Sequence, residues 1–489
     1  MPFELPIDTT WIHFGSTTYL VFEWLVRIVM IPVVMRKRTP QSSMAWLLVI
    51  FFEPLIGGVF YLLIGETHLG RSRQNRRIEA VSKIRRLRSL VALDAAVAAA
   101  RVPEEQHDLA RLVLAVGDMR ALGGNTLELL DDTDGFLDRL VAAIDGANQT
   151  AHLEYYIYSS DESGRRVSEA LGRAAERGVR CRLLVDGVGS KAFLRHGAGA
   201  LRARGVAVTA SLPVNLFRAL LWRIDLRNHR KITVIDGRVA FAGSQNIINA
   251  DYGSSRVGAW RDLSVRIEGP AVCQLQRVFL EDWAAERPGA DLDVDIDEKP
   301  AMPELVGNIS VQSAPSGPSA GAGAFGDLMT ACISEAERHL VMTTPYFVPD
   351  ESVMAALRVA ALRGVEIDMI IPRKGDHPLV SAAARSYYDD LIAAGINVHL
   401  HTNGLLHAKT LRVDDSFVLI GSGNFDIRSF LLNFELMQLF FGAEAVRELA
   451  LFHEHCLGES VPLDIEAWKA RGRVARFRDN FARLLSPLL

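Results

Sequence analysis

The sequence predicts an α/β protein made of two copies of one domain that share a single active site, preceded by an N-terminal transmembrane helical hairpin. Three observations carry that expectation. The stretch H-R-K-I-T-V-I-D from His229 returns as H-A-K-T-L-R-V-D from His407, 178 positions later, and a Gly-Ser-X-Asn turn follows each at the same distance. Strand-prone and helix-prone runs alternate in the same order ahead of both copies. Two apolar runs near the N-terminus each approach the roughly 20 residues needed to cross a bilayer core.

At 489 residues the chain exceeds one ordinary domain, so two core-forming units plus extras are expected. A net charge of −4 leaves no basic footprint for nucleic acid. The four cysteines, Cys181, Cys273, Cys332 and Cys456, make no C-x-x-C pair and read as small buried residues in a reducing compartment. The hydrophobic share of 49% and the positive mean hydropathy are concentrated at the N-terminus.

Residues 1–70 are therefore read as the membrane hairpin, with helices over about 16–35 and 44–64. Neither run looks like a cleaved signal peptide, because no basic segment precedes it and no small-residue cleavage site follows. Glu23 and Arg27 lie four apart on one helical face and can pair. A lone charge at mid-membrane costs roughly 2.5 to 3.5 kcal/mol, so pairing eases insertion. The turn Arg36-Lys37-Arg38, then Pro40, joins the two arms. Residues 71–125 form a helical spacer with eight basic residues between Arg71 and Arg88. By the positive-inside rule this larger cluster, and the catalytic body behind it, are expected in the cytoplasm. Such a run is either a solvated helix face or a holder of anionic headgroups.

The first domain is expected over 126–300 and the second over 301–489. A β-prone run at His152 is matched with one at His339; an amphipathic helix, a Gly turn and a buried strand follow from Ala170 and again from Ala356. Alternation of this kind implies a mixed or parallel sheet flanked by helices. Arg287 to Asp327, rich in Pro, Gly, Ala, Ser and acidic residues, reads as a linker with one short strand near Asn308 to Gln312. The halves differ in length: 24 positions separate Gly205 from His229, but 12 separate Gly395 from His407. The extra dozen sets Leu216, Phe217, Leu220, Leu221 and Trp222 at helical spacing, either as a cap on the core or as a segment dipping into the membrane.

Strand side chains alternate with period two, so His229 with Lys231, and His407 with Lys409, face one way into a shared cleft. Ser244, Asn246, Ser422 and Asn424 converge there from the two turns. Ammonium, hydroxyl and amide donors together suit a phosphoryl group whose oxygens gather charge in the transition state. One imidazole can attack phosphorus while the other protonates the departing alkoxide. Each needs a partner on its far nitrogen, and the candidates are Asp262, 33 residues after His229, and Glu435, 28 residues after His407. Asp236 and Asp414 complete the motifs and are counted with the catalytic set, although their place at a strand end suits anchoring their own turns. No carboxylate cluster has magnesium or zinc spacing, so neither metal nor cofactor is expected. One such motif could be a core strand that happens to carry histidine; two with matched tails argue against that.

With these motifs the chain resembles the phospholipase D superfamily with two H-x-K-x4-D motifs, and within it the bacterial cardiolipin synthases. The narrower likeness rests on R-K-R-T-P-Q-S-S-M-A-W-L-L-V at the hairpin, W-R-D-L-S-V-R-I-E-G-P-A-V from Trp260 and the terminal S-P-L-L. The resemblance implies two phospholipase-D-like α/β sandwich domains packed as a pseudo-dimer. It implies phosphatidyl transfer between two phosphatidylglycerols, giving cardiolipin and glycerol through a phosphatidyl-histidine. His229 would be the nucleophile and His407 the acid and base; Lys231, Lys409, Asn246 and Asn424 would bind phosphate; Asp262 and Glu435 would support the histidines. The implied setting is the bacterial inner membrane, crossed more than once, with phosphatidylglycerol and other membrane phospholipids as partners. A homo-oligomer is compatible with the sequence, and nucleic acid is not expected. A hydrolytic phospholipase D, or a transferase with another donor or acceptor such as phosphatidylethanolamine, would share the site. So would a two-motif nuclease, against which the near-neutral charge and the hairpin argue.

Overall fold

The computed structural model describes residues 9–36, 40–65, 71–88, 93–214, 223, 225–252, 257–287, 304–318 and 323–484. The chain forms two compact bodies, residues 1–70 with 214–225, and residues 71–213 with 226–489.

In the first body, Thr9–Met35 is one helix, and from Thr17 to Met35 it is long and apolar enough to cross a membrane. Arg27 donates to Glu23 at 3.1 Å and to the Phe51 carbonyl at 3.1 Å, so its charge is matched within the body. The second apolar run is not the single helix expected over 44–64. Pro40–Phe52 stops, Pro54–Phe60 begins again, and a π-turn, Tyr61–Gly65, ends the segment. The ring of Pro54 disfavours helical backbone at the residue before it, and Glu53 leaves the helix at φ −134°, ψ 80°. Thr17–Met35 is thus the one candidate span among the described residues. Met30, Val34, Ile50 and Tyr61 form a small core, and Gly57 makes the fold-back tight: a Cβ there would lie 2.9 Å from the Ile50 Cα. Lys37 and Arg38 of the basic turn, and the apolar insert Leu216 to Trp222, lie outside the described residues.

The second body begins with the basic helix Arg71–Arg88. Arg73 pairs with Glu286, Arg76 donates to the Ala285 carbonyl, and Arg77 donates to Asp282 at 3.0 Å. The guanidinium groups of Arg73 and Arg77 also lie over the Phe434 ring. Three of the eight basic residues are therefore engaged by the Val272–Glu286 helix and its surroundings, which leaves them neither solvated nor free for lipid. The spacer is also shorter than expected, because Leu122–Leu130 is already a strand.

That strand is the seam of the molecule. It runs antiparallel to Ile309–Ser316, with Leu122 opposite Val311 and Asn125 opposite Ile309. From it the sheet continues through Ser264–Glu268, Val239–Gly243, Ile232–Ile235, Thr150–Tyr155, Arg180–Asp186 and Ala207–Ser211. From Ile309–Ser316 it continues through Asn433–Phe441, Phe417–Gly421, Thr410–Val413, His339–Thr343, Glu366–Pro372 and Asn397–His401, with Ser460–Pro462 at the edge. The order is the same in both directions, so the repeat in sequence is a repeat in structure. Buried Asn125 locks the seam: its amide donates to the carbonyls of Leu122 and Ile309, and its oxygen accepts from Ala271 N–H.

Helices Glu162–Glu176 and Glu351–Leu362 cross between parallel strands in equivalent places, each capped by an aspartate, Asp161 or Asp350, that accepts from a first-turn N–H. They bury Val167, Ala170, Leu171 and Ala174 in one half and Val353, Leu357 and Ala360 in the other, at helical spacing.

Asp236 and Asp414 stand at the ends of the four-residue strands Ile232–Ile235 and Thr410–Val413, away from the histidines, with φ of +51° and +48°. Asp236 accepts from the N–H groups of Asn148, Gln149 and Thr150, and Asp414 from those of Glu337, Arg338 and His339. The two carboxylates expected in the catalytic set are therefore used up in joining strand to strand. The same bonds correct the alignment of the halves: Thr150, not His152, answers His339. Asp414→Ala leaves three N–H groups without their acceptor and is expected to destabilise the protein by about 1–3 kcal/mol, read as a lowered thermal midpoint. Turnover per folded molecule should be retained.

Candidate active site

Each histidine enters the cleft from a two-residue strand paired to the opposite half. Arg227–Asn228 runs parallel to Asn433 and Phe434, and the His229 N–H donates to the Phe434 carbonyl at 2.9 Å. Leu405–Leu406 runs parallel to Trp260 and Arg261, and the His407 N–H donates to the Arg261 carbonyl at 2.7 Å. The residues that follow these partners are the two carboxylates, so the side-chain pairs are crossed. His229 Nδ1–H lies 3.0 Å from both oxygens of Glu435, and His407 Nδ1–H donates to Asp262 at 2.6 Å. Chain order, with Asp262 after His229 and Glu435 after His407, points to the opposite assignment.

The serines serve the carboxylates. Ser244 Oγ donates to Asp262, and Ser422 Oγ to Glu435, each at 2.6 Å; each oxygen in turn accepts a backbone N–H at 3.0 Å, from Leu263 and Leu436. Ser429 at 2.9 Å and Asn433 at 3.2 Å also donate to Glu435. Ser244 and Ser422, expected against substrate phosphate, are therefore positioning residues in this geometry. Asn246 accepts from Ile157 N–H at 3.0 Å, whereas the buried Asn424 side-chain oxygen has no hydrogen-bond donor among the described residues. Lys231 and Lys409 each donate to the carbonyl of their own histidine, at 2.7 and 2.6 Å.

Aromatic rings that the sequence reading passed over complete the walls. Tyr156 meets His229 edge-on with centroids 4.9 Å apart, and its ring lies 5.5 Å from Lys231 Nζ. Trp260 packs against His407 at 4.6 Å. Tyr156 sits in the β-prone run from His152 and Trp260 opens W-R-D-L-S-V-R-I-E-G-P-A-V, but neither chemistry nor spacing marks them out.

Burial governs the electrostatics. It pushes the His229 imidazole down to about 4, against the pull of Glu435, and lowers His407 as well. It lowers Lys231 well below the usual ammonium value, helped by the charge of Lys409, and takes Lys409 to about 8. For the carboxylates burial acts upward but loses. His407, Lys409 and the Ser244 bond hold Asp262 low, and His229, Lys231 and the Ser422 bond do the same for Glu435. The result is two ionised carboxylates that take up both Nδ1–H groups and leave each Nε2 lone pair for chemistry. Beside them are two desolvated cations, whose charge an anion would satisfy.

The family model described as "Cardiolipin synthase, PLD-like domain" matches residues 140–283 and 329–456, once in each half. Over 488 residues the chain is 35% identical to cardiolipin synthase A of Klebsiella pneumoniae subsp. pneumoniae, covering 97% of this chain and 100% of that protein. The chain belongs to the bacterial cardiolipin synthases of the phospholipase D superfamily. Cardiolipin synthase A of Cronobacter sakazakii is 35% identical over 490 residues, with the same coverage. A second model, "Phospholipase_D-nuclease N-terminal", matches residues 24–66. The crystal structure of phosphatidylserine synthase from Haemophilus influenzae shares the fold at a TM-score of 0.58 and 14% identity, covering 78% of this chain and 100% of that one. Like its family, the chain is a phosphatidyltransferase with duplicated phospholipase-D-like domains and an apolar N-terminal helix suited to membrane association.

Two tests follow from the geometry. A double-mutant cycle of His407→Gln with Asp262→Asn, read by unfolding free energy, should show coupling of about 0.5–3 kcal/mol, and His407→Gln with Glu435→Gln much less. The second concerns acid. His229 is held at about 4 in the fold but titrates near 6.5 when unfolded, so below 6.5 the unfolded chain binds a proton that the fold refuses. Depressed Asp262 and Glu435 add the same sign at lower pH. The denaturation midpoint of the unliganded protein should therefore fall as pH drops from 6.5 towards 4, and His229→Gln should flatten the upper part of that fall.

Proposed function

We propose that the chain makes cardiolipin from two molecules of phosphatidylglycerol, releasing glycerol, by two successive displacements at one phosphorus. The observation that carries this reading is the pair of buried histidines, each with Nδ1 held by a carboxylate and Nε2 left open, set beside two buried lysines. The ammonium groups of Lys231 and Lys409, with the amides of Asn246 and Asn424, hold the non-bridging oxygens of the donor phosphate. Nε2 of His229 attacks phosphorus; the bond from phosphorus to the headgroup glycerol breaks, and that oxygen takes a proton from Nε2 of His407. A phosphatidyl-histidine and free glycerol result. His407, now neutral, takes the proton from the headgroup hydroxyl of the second phosphatidylglycerol. That oxygen attacks phosphorus, the phosphorus–nitrogen bond breaks, and His229 is restored.

Protons balance over the cycle, since the one delivered to glycerol is replaced by the one taken from the incoming alcohol. The phosphorus–nitrogen bond keeps the group activated, so one phosphodiester is exchanged for another without a nucleotide. The surroundings of the two imidazoles support these roles. His229, pushed to about 4, is unprotonated at any working pH and suits a nucleophile. His407 rests on a single short contact with Asp262, and a bound phosphate anion raises its affinity for the proton it must deliver. Burial keeps competing water scarce around the intermediate.

The same reading places the second body in the cytoplasm of a bacterial inner membrane. The first body would cross the bilayer more than once, with its second arm broken at Pro54. Protease cleavage at Arg36 to Arg38 from the outside of sealed, inside-in vesicles would support that topology, and cleavage only from the cytoplasmic side would reject it.

With labelled phosphatidylglycerol in liposomes, the purified protein should yield cardiolipin and equimolar glycerol. Phosphatidic acid as the main product would make it a hydrolase, and cleavage of single-stranded DNA a nuclease. His229→Ala and His407→Ala should each lower turnover by at least about 100-fold. His407→Ala is expected to accumulate phosphatidylated protein and His229→Ala not to; the opposite pattern reverses the two roles.

A further inference from the structure

Away from the cleft, the helix Arg473–Leu484 has one face committed and one face that no described residue covers. On the committed side Asp479 and Ala482 are buried. Asp479 accepts from Arg385 of the Pro378–Arg385 helix at 3.1 Å, and Arg483 donates to Asp390 at 2.9 Å with its guanidinium over the Tyr387 ring. These contacts hold the helix on the second half.

The other side carries Val474, Phe477, Phe481 and Leu484, at i, i+3, i+7 and i+10, which fall on one stripe of an α-helix. They are 83%, 72%, 52% and 75% exposed, and the two phenylalanine rings stack with centroids 6.2 Å apart. Turning by one residue in each direction from the stripe brings exposed Arg473 and Arg478 to its borders. Arg478 also donates to Asp479 at 3.1 Å, a carboxylate it shares with Arg385, and its side chain remains 63% exposed. Apolar residues this large are not left bare on a helix without cost, and a stripe bordered by arginine is the pattern of a helix lying in a membrane interface.

We propose that this face docks on anionic phospholipid, with the four apolar side chains at the boundary of headgroup and acyl chain and the bordering arginines on lipid phosphates. Charge complementarity selects this occupant. A second copy of the chain packed symmetrically on the same stripe would set one arginine-bordered face on another, like charge beside like. The stripe is also one helix wide, far short of the roughly 800 Å² per partner that a stable protein contact buries. Nothing in this inference depends on which phospholipid donates or accepts in the cleft.

The test uses the full-length protein carrying Cys273→Ser, since the other three cysteines are buried. Single cysteines introduced by Phe477→Cys, Phe481→Cys or Arg476→Cys bear a spin label, in vesicles of phosphatidylcholine with or without phosphatidylserine. Labels at 477 and 481 should become accessible to oxygen and shielded from a water-soluble nickel chelate when phosphatidylserine is present. The label at 476 should stay aqueous. Added salt, or Arg473→Glu with Arg478→Glu, should return the first two to water. If all three labels remain aqueous in phosphatidylserine vesicles, the proposal is wrong. It is equally overturned if shielding occurs in detergent and rises with protein concentration, which would mark a second copy, or if shielding is independent of the two arginines.

Discussion

Each histidine of the cleft depends on a carboxylate that belongs to the other half of the chain, and the crossing is made by backbone before it is made by side chains. The short parallel pairings of Arg227–Asn228 with Asn433 and Phe434, and of Leu405–Leu406 with Trp260 and Arg261, set the register. Shift either by one residue and Glu435 or Asp262 would point away from its imidazole, because strand side chains alternate. Buried Arg230 reinforces the first crossing: it donates to the Glu435 and Ser316 carbonyls, each at 3.0 Å, and pairs with Asp282. Neither half therefore contains a finished site, and the continuous sheet through Leu122–Leu130 and Ile309–Ser316 is what lets two incomplete halves meet in register.

Within this two-fold plan the details are unequal, and the inequality falls on the groups to which the proposed function gives different jobs. Asp262 reaches His407 with one oxygen at 2.6 Å, while the longer Glu435 spreads both oxygens over His229 at 3.0 Å. Glu435 receives two further donors, Ser429 and Asn433. The residue in the place of Asn433 in the first half is Trp260, which offers its ring face to His407 instead. A duplicated clamp gives two equal imidazoles, but two displacements in sequence need one that stays unprotonated and one that carries a proton to and fro.

Much of the architecture was legible because it follows from local pattern. The repeat of His, Lys and Asp and the strand–helix–Gly–strand order reappear as structure, whereas His229, Lys231, His407 and Lys409 lie between the short strands and not on one strand with alternating faces. The crossing was not legible, since spacing along the chain pairs each carboxylate with the histidine before it and the register that reverses this is a tertiary fact. The serines were misplaced for a related reason: a hydroxyl near a phosphate site could face substrate or carboxylate, and composition does not choose. The break at Glu53 could have been read from Pro54, whose effect on the preceding residue is local. Asp236 and Asp414 show how a motif can mix roles. Their spacing from the histidine is as regular as that of the lysine, yet a four-residue strand carries them out of the cleft to fasten a turn.

Lys231 and Lys409 sit where burial disfavours their charged forms, and that of Lys231 is further opposed by Lys409. The two ionised carboxylates compensate only in part, because their oxygens are already occupied by imidazole, serine and asparagine donors. The part left over is a cost of the kind that packing with apolar residues would remove. On the function proposed above, a phosphodiester supplies the missing negative charge, and a transition state that concentrates charge on the same oxygens supplies more of it. The strain is therefore relieved most where reaction occurs, which is the condition for binding energy to accelerate the step instead of only holding the substrate.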